Sequence, residues 1–218
     1  MSDAIVLRHV TKRFGSVAAV NDVSLSVPAG SIYGFIGPNG SGKTTTLRMI
    51  MHIILPDEGD IEVLGSRETA AARDQVSYLP EERGLYKKMT VRRLLRYYGQ
   101  LKGAKPADLD RAIDEWIARM QLPGVLDRAI ETLSKGMSQK VQFIGAVISK
   151  PSLLILDEPF SGLDPVNAQV LKDAVLDMRS RGTTIVFSTH DMSTAEKMCD
   201  RIFMIFKGHK VLDGTLHD

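Results

Sequence analysis

Gly37-Pro38-Asn39-Gly40-Ser41-Gly42-Lys43-Thr44 is the stretch on which the reading of this chain turns. It fits G-x-x-x-x-G-K-[ST], the pattern of a phosphate-binding loop. Each fixed position has a physical task. The glycines let backbone N–H groups close around phosphate oxygens, and a following helix aims its positive end at the same anion. Lys43 can bridge β- and γ-phosphates, and the Thr44 hydroxyl can ligate Mg²⁺. The context fits: Ser31 to Ile36 is a mostly apolar run of strand length, and Thr44 to His52 reads as a helix.

Working outward, Leu153-Leu154-Ile155-Leu156-Asp157-Glu158 supplies the second half of such a site. An apolar strand delivers two carboxylates at its carboxyl end, where open α/β sheets bind ligands. Successive strand residues face opposite ways, so the two acids have different roles. Asp157 is the natural Mg²⁺ partner, directly or through water, and Glu158 the general base orienting the attacking water.

Ala4 to Val10, Ala18 to Val27 and Ile61 to Leu64 read as further strands. From Gly84 to about Ser149 the pattern turns helical: Leu94, Leu95, Tyr98 and Leu101 share one face, as do Leu109, Ile113, Trp116 and Met120. Thr184 to Phe187 is another buried-strand run, separated from Leu156 by a helix from Pro165 to Arg181. The expected fold is α/β: one domain over 1–218, with a phosphate-loop sheet core, an antiparallel β flank and an inserted helical lobe over 84–149.

Composition bounds the rest. The chain has 218 residues, 44% hydrophobic and 25% charged, which excludes disorder and collagen. The longest charge-free stretch, Val23 to Gly42, holds five glycines and two prolines and cannot be a membrane helix. Met1 to Ala4 does not open a secretory signal, and the single cysteine, Cys199, fits a reducing cytosol. With 28 Lys+Arg against 26 Asp+Glu, no nucleic-acid partner is expected. The one local imbalance is Arg83, Lys87, Lys88, Arg92, Arg93, Arg96, Lys102 and Lys105, a run without an acid. It is either a solvated helix face or a surface for an acidic partner.

Over nearly its full length the chain resembles the ATP-binding subunit of an ABC transporter. Leu133-Ser134-Lys135-Gly136-Met137 stands where that family carries its Leu-Ser-Gly-Gly-Gln signature, about twenty residues before Asp157. Ser161-Gly162-Leu163-Asp164 matches the D-loop and His190 the switch histidine. Phe14 stands where an aromatic ring lies under adenine, although a core strand residue is the other reading. The resemblance implies that ATP and Mg²⁺ are bound. The ATP contacts would be Phe14, Gly37, Pro38, Asn39, Gly40, Ser41, Gly42, Lys43, Thr44 and Thr45. It also implies head-to-tail pairing, as a homodimer or with a related ATPase subunit. Ser134, Lys135, Gly136 and Met137 would close on the partner's nucleotide, Asp164 would couple the two sites, and His190 would hold the γ-phosphate and the water.

Two departures from the family pattern stand out. Glu81 occupies the position of the usual glutamine, where it can still meet Mg²⁺ or water through an oxygen. Lys135 and Met137 replace a glycine and a glutamine in the signature. In the closed dimer that the resemblance implies, either Lys135 offsets the charge that Glu81 adds, or Lys135 points to solvent and Glu81 simply contacts Mg²⁺. Pro80-Glu81-Glu82-Arg83-Gly84-Leu85-Tyr86 is similar to a branch of bacterial exporters of drugs or sodium, whose ATPase and membrane-spanning subunits are separate chains. Members of that branch often continue beyond the position of Asp218. The implied location is cytoplasmic, peripheral on the inner face of the membrane, with the basic run toward the membrane subunit. Alternatives are a soluble ABC-type ATPase acting on DNA or ribosomes, a GTPase and a kinase. No long coiled-coil segment or second ATPase unit is present, and the Asn-Lys-x-Asp of GTPases is absent.

Overall fold

A computed structural model describes residues 3–67, 74–81 and 84–216. Arg83, in the basic run, lies outside them. β1 (Asp3–Phe14), β2 (Val17–Pro28) and β4 (Glu58–Val63) form an antiparallel sheet in the order β2-β1-β4. The second sheet has six strands in the order β5-β6-β7-β3-β8-β9. These are β3 (Ile32–Ile36), β5 (Val76–Leu79), β6 (Leu153–Leu156), β7 (Thr184–Thr189), β8 (Arg201–Phe206) and β9 (His209–Gly214). All are parallel except β9, which returns antiparallel to β8.

The helices are α1 (Lys43–Ile50), α2 (Val91–Leu101), α3 (Pro106–Arg119), α4 (Lys135–Val147), α5 (Pro165–Ser180) and α6 (Met192–Met198). α2, α3 and α4 fall between β5 and β6, so the helical segment is inserted into the parallel sheet. Among the described residues no helix is long and apolar enough to cross a membrane.

The central strands are apolar throughout because both faces are covered, and alternate residues enter different cores. Leu154, Leu156, Ile185 and Phe187 pack with the inserted helices and α5, while Leu153, Ile155, Val186, Tyr33 and Phe35 pack with α1 and the antiparallel sheet. The parallel arrangement brings the carboxyl ends of β3, β6 and β7 to one edge, with Ile36 beside Thr189 and Leu156 beside Phe187. The phosphate loop, the two carboxylates and His190 all follow these ends.

One expected helix face is corrected. Leu101 is 62% exposed, and the buried stripe of α2 is Val91, Leu94, Leu95 and Gly99. Helical spacing carries that stripe to Gly99, where an added Cβ would lie 2.2 Å from Leu109 Cδ2. Close approach of α2 and α3 at this glycine leaves the terminal leucine outside. On α3, Leu109, Ile113 and Met120 are buried as expected, and Trp116 is partly covered. Phe14 is 53% exposed at the end of β1, which removes the reading of it as a core residue.

Candidate active site

The phosphate loop is held by contacts that leave no room for side chains at Gly37 and Gly42. A Cβ on Gly37 would lie 2.3 Å from the Ile205 carbonyl oxygen and 2.7 Å from Ser41 Oγ. Gly42 has φ 112° and a Cβ there would meet the Ala19 carbonyl oxygen at 2.4 Å. Gly42 is the N-cap of α1 and supplies no side-chain cap, and the first turn contains no acid. The amide N–H groups of that turn are therefore left for an anion. The turn between β8 and β9 pins the loop, with Gly208 N–H donating to the Ser41 carbonyl at 2.8 Å.

Lys43 is almost fully buried and donates to the carbonyls of Gly37 at 2.7 Å and Pro38 at 3.2 Å. Its ammonium also lies 3.5 Å from Glu158 Oε1. Ser41 Oγ is buried without a hydrogen-bond partner among the described residues. An unpaired buried hydroxyl is costly, and its place inside the loop fits a polar ligand. Asn39 to Thr45, with Ala19, Glu81 and Glu158, line a cleft of about 360 Å³. Gly37 and Pro38 stand behind this lining and hold Lys43.

Asp157 and Glu158 are separated by more than strand alternation. β6 ends at Leu156, and Glu158 takes a left-handed backbone with φ 48°, a conformation that costs a non-glycine residue and clusters at functional sites. Asp157 accepts from Ser188 Oγ at 2.6 Å, Thr44 Oγ1 at 3.1 Å and the Tyr78 hydroxyl at 3.2 Å. Burial, and then the Asp157 charge, push the Tyr78 phenol up to about 12, so it remains a donor. Glu158 instead faces Lys43 and His190, whose Nδ1 lies 3.1 Å from Glu158 Oε2. Ser188 joins the two acids, donating to Asp157 while accepting from the Glu158 N–H at 2.9 Å.

Ser188 and Tyr78 were not expected as site residues. The signal for Ser188 is its position two residues before His190 at a strand end; for Tyr78, it is only the position three residues before Glu81.

Ser134, Lys135, Gly136, Met137 and Asp164 do not line this cleft. They form a second cluster. Ser134 is the N-cap of α4, accepting from Met137 N–H at 3.3 Å, and Asp164 is the N-cap of α5, accepting from Asn167 N–H at 3.0 Å. The Asn167 backbone N–H bond holds the Asp164 carboxyl below the usual carboxylate range. The Lys135 side chain lies over Gly162 of its own chain.

Two residues of the basic run, Arg92 and Arg96, are paired with acids of α3. Arg96 makes a two-pronged contact with Asp110 at 2.7 and 2.6 Å, and Arg92 lies 3.9 Å from Asp110 and 3.8 Å from Asp114. For these two arginines the acids come from the next helix. Arg93 has no acid within 4.0 Å among the described residues and lines a groove of about 610 Å³ with Tyr97, Gln100 and Asp127.

The geometry joins a phosphate loop through Thr44 to a buried aspartate and sets a neighbouring glutamate against a histidine. The family model described as ABC transporter matches residues 20–161. The chain belongs to the ABC transporter family. It is 43% identical over 214 residues to the uncharacterized ABC transporter ATP-binding protein YhaQ of Bacillus subtilis, covering 98% of this chain and 72% of that one. It is 35% identical over 216 residues to the Nod factor export ATP-binding protein I of Burkholderia lata, covering 98% and 71%. A solved structure of the ATP binding subunit of an ABC transporter superposes with TM-score 0.92 at 31% identity, covering 99% of this chain and 91% of that one. This chain is an ATP-binding subunit of the ABC transporter family, with the fold that the sequence implied.

Proposed function

We propose that this ABC transporter subunit hydrolyses ATP as one half of a head-to-tail pair and powers a separate membrane-spanning subunit in the export direction. The observation that carries the hydrolytic reading is Glu158, held 3.5 Å from Lys43 and 3.1 Å from His190 at the edge of the phosphate-loop cleft.

The triphosphate is held by the loop amides, with Lys43 leaving its two carbonyl partners to reach the β- and γ-phosphates. Phe14, exposed at the end of β1, offers its ring to the base. Thr44 and Asp157 sit 3.1 Å apart and fit an Mg²⁺ site, with Glu81 contributing an oxygen directly or through water. Mg²⁺ supplies neutralisation of the charge on the β- and γ-oxygens. Tyr78 and Ser188 orient Asp157 for that task. Glu158 accepts the proton of the attacking water, and His190 holds the water and the γ-phosphate in line.

The signature residues Ser134 to Met137 and Asp164 lie outside their own chain's cleft. In the proposed pair they face the nucleotide of a second copy or a related ATPase subunit, with Ser134 Oγ and Gly136 N–H on the γ-phosphate. In this reading the groove at Arg93, Tyr97 and Asp127 faces the membrane subunit, and the chain works at the cytoplasmic surface of the membrane. The export direction rests on similarity to the Nod factor export protein.

The test is Glu158→Gln beside Lys43→Ala. The first should abolish most phosphate release while a fluorescent ATP analogue still binds; the second should weaken binding itself. Near-normal hydrolysis by Glu158→Gln would remove Glu158 as the base.

A further inference from the structure

β1 loses regular pairing before it reaches Phe14. Its last pair with β4 is Thr11 with Glu58, and its register with β2 shifts between Lys12 and Arg13. An irregular ladder of this kind re-aims the side chains beside it. The residue just ahead of β4, Asp57, takes over the open edge. Its N–H donates to the Thr11 carbonyl at 2.8 Å, its Oδ1 accepts from Lys12 Nζ at 2.8 Å, and its Oδ2 accepts from the Arg13 N–H at 2.7 Å. One residue thus binds three successive residues of β1, immediately before the aromatic ring.

Lys12 and Phe14, two apart on a strand, share a face. Lys12 Nζ, held by Asp57, lies 5.7 Å from the centre of the Phe14 ring, within the range where a cation is attracted to an aromatic face. Val17, the β2 partner of Phe14, stands two residues before Ala19, which lines the phosphate-loop cleft. The Lys12 bond, and then the Arg13 amide, hold the Asp57 carboxyl below the usual carboxylate range. An exposed ion pair contributes little to stability. What these contacts do fix is the place of the β1 end and of the half-exposed ring on it.

We propose that Asp57 is a positioning residue for the nucleotide base: by holding the Lys12 ammonium and the Arg13 amide, it fixes the Phe14 ring for stacking before ATP arrives. A ring ordered in advance loses less freedom on binding. Asp57 is not among the residues that line the cleft, so its effect reaches ATP through Phe14. This inference rests on the reading of Phe14 as the platform for the base.

The experiment titrates the full chain with ATP and with inorganic tripolyphosphate by calorimetry, in the parent, Asp57→Ala, Phe14→Ala and the double variant. Phe14→Ala should weaken ATP binding at least about tenfold, through loss of stacking. Asp57→Ala should weaken it about fivefold, while tripolyphosphate, which has no base, stays within about twofold of the parent. In the Phe14→Ala background the same Asp57→Ala change should cost less than about twofold, because its effect passes through the ring. That comparison decides the matter at whatever strength tripolyphosphate binds. Should Asp57→Ala fail to fold, Asp57→Asn keeps an oxygen for the Arg13 N–H but not the charge that holds Lys12. It should weaken ATP binding about threefold in the parent and leave the Phe14→Ala variant unchanged. Equal losses for ATP and tripolyphosphate, a loss that persists in full without the ring, or ATP affinity indifferent to Asp57 overturns the inference. Parent-like ATP affinity in Phe14→Ala overturns the reading of Phe14 as the platform, and the inference falls with it.

Discussion

The nucleotide cleft and the signature face are built in opposite ways. Around the cleft, Lys43, Thr44, Tyr78, Asp157, Glu158, Ser188 and His190 are tied to one another by hydrogen bonds or ion pairs within a single chain. At the signature face, Ser134, Lys135 and Asp164 are exposed, and their bonds serve local helix caps or the neighbouring segment. The difference teaches that preorganisation is concentrated where charge must be stabilised during chemistry. In the proposed pair, the other face would be presented to the nucleotide of a second copy.

Breaking the cleft should have the largest effect. Glu158→Gln should reduce steady-state hydrolysis by about 10²- to 10⁴-fold, measured as phosphate release, with nucleotide binding retained. Next comes the opposite face. Ser134→Arg should lower hydrolysis by about 10²-fold through loss of one γ-phosphate donor, while a single chain binds nucleotide as before. Weaker single-chain binding in Ser134→Arg would mean that the two regions are not separate.

Smaller effects sharpen the comparison at the inserted helices. Arg93→Gln should weaken copurification affinity for the membrane subunit by about fivefold at low salt, on the order of 1 kcal/mol. Arg92→Gln should do less, since Asp110 and Asp114 already occupy that charge. Equal losses would favour a diffuse charge effect over a specific role for Arg93.

The smallest concerns Asp177, which joins α3 to α5 by accepting from Arg119 at 2.6 Å and lies 2.8 Å from Arg181. Burial alone would raise its pKa, but the two guanidinium groups outweigh that and hold it below the usual carboxylate range. Its folded pKa is depressed, so its contribution is present above the unfolded value and is lost as pH falls through the folded one. Asp177→Asn should therefore lower Tm by about 2 °C at neutral pH, and the gap should close in strong acid.

The sequence was most legible where a motif and a strand coincide. Gly37 to Thr44 follows an apolar run and Asp157-Glu158 follows another, so motif and pattern alone put the loop and both acids on one sheet edge. Ser188 and Tyr78 were harder to find because hydroxyl residues at strand ends are common, and only the fold brings them to Asp157. The left-handed backbone at Glu158 has no signal in the residue itself. β5, α6, β8 and β9 came without a sequence expectation: β5 has only four residues, α6 is short, and the β8–β9 turn is fixed by contacts with β2 and the phosphate loop. Lys135 was legible as a departure, but its direction was not. It rests on Gly162 of its own chain.

The claim that one chain carries half of a composite site is tested most directly by the solution mass of Glu158→Gln, measured by light scattering with and without MgATP. The account predicts that MgATP doubles the mass, that MgADP does not, and that adding Ser134→Arg returns it to that of a single chain. A single-chain mass at saturating MgATP, or a doubling indifferent to Ser134→Arg, would contradict it.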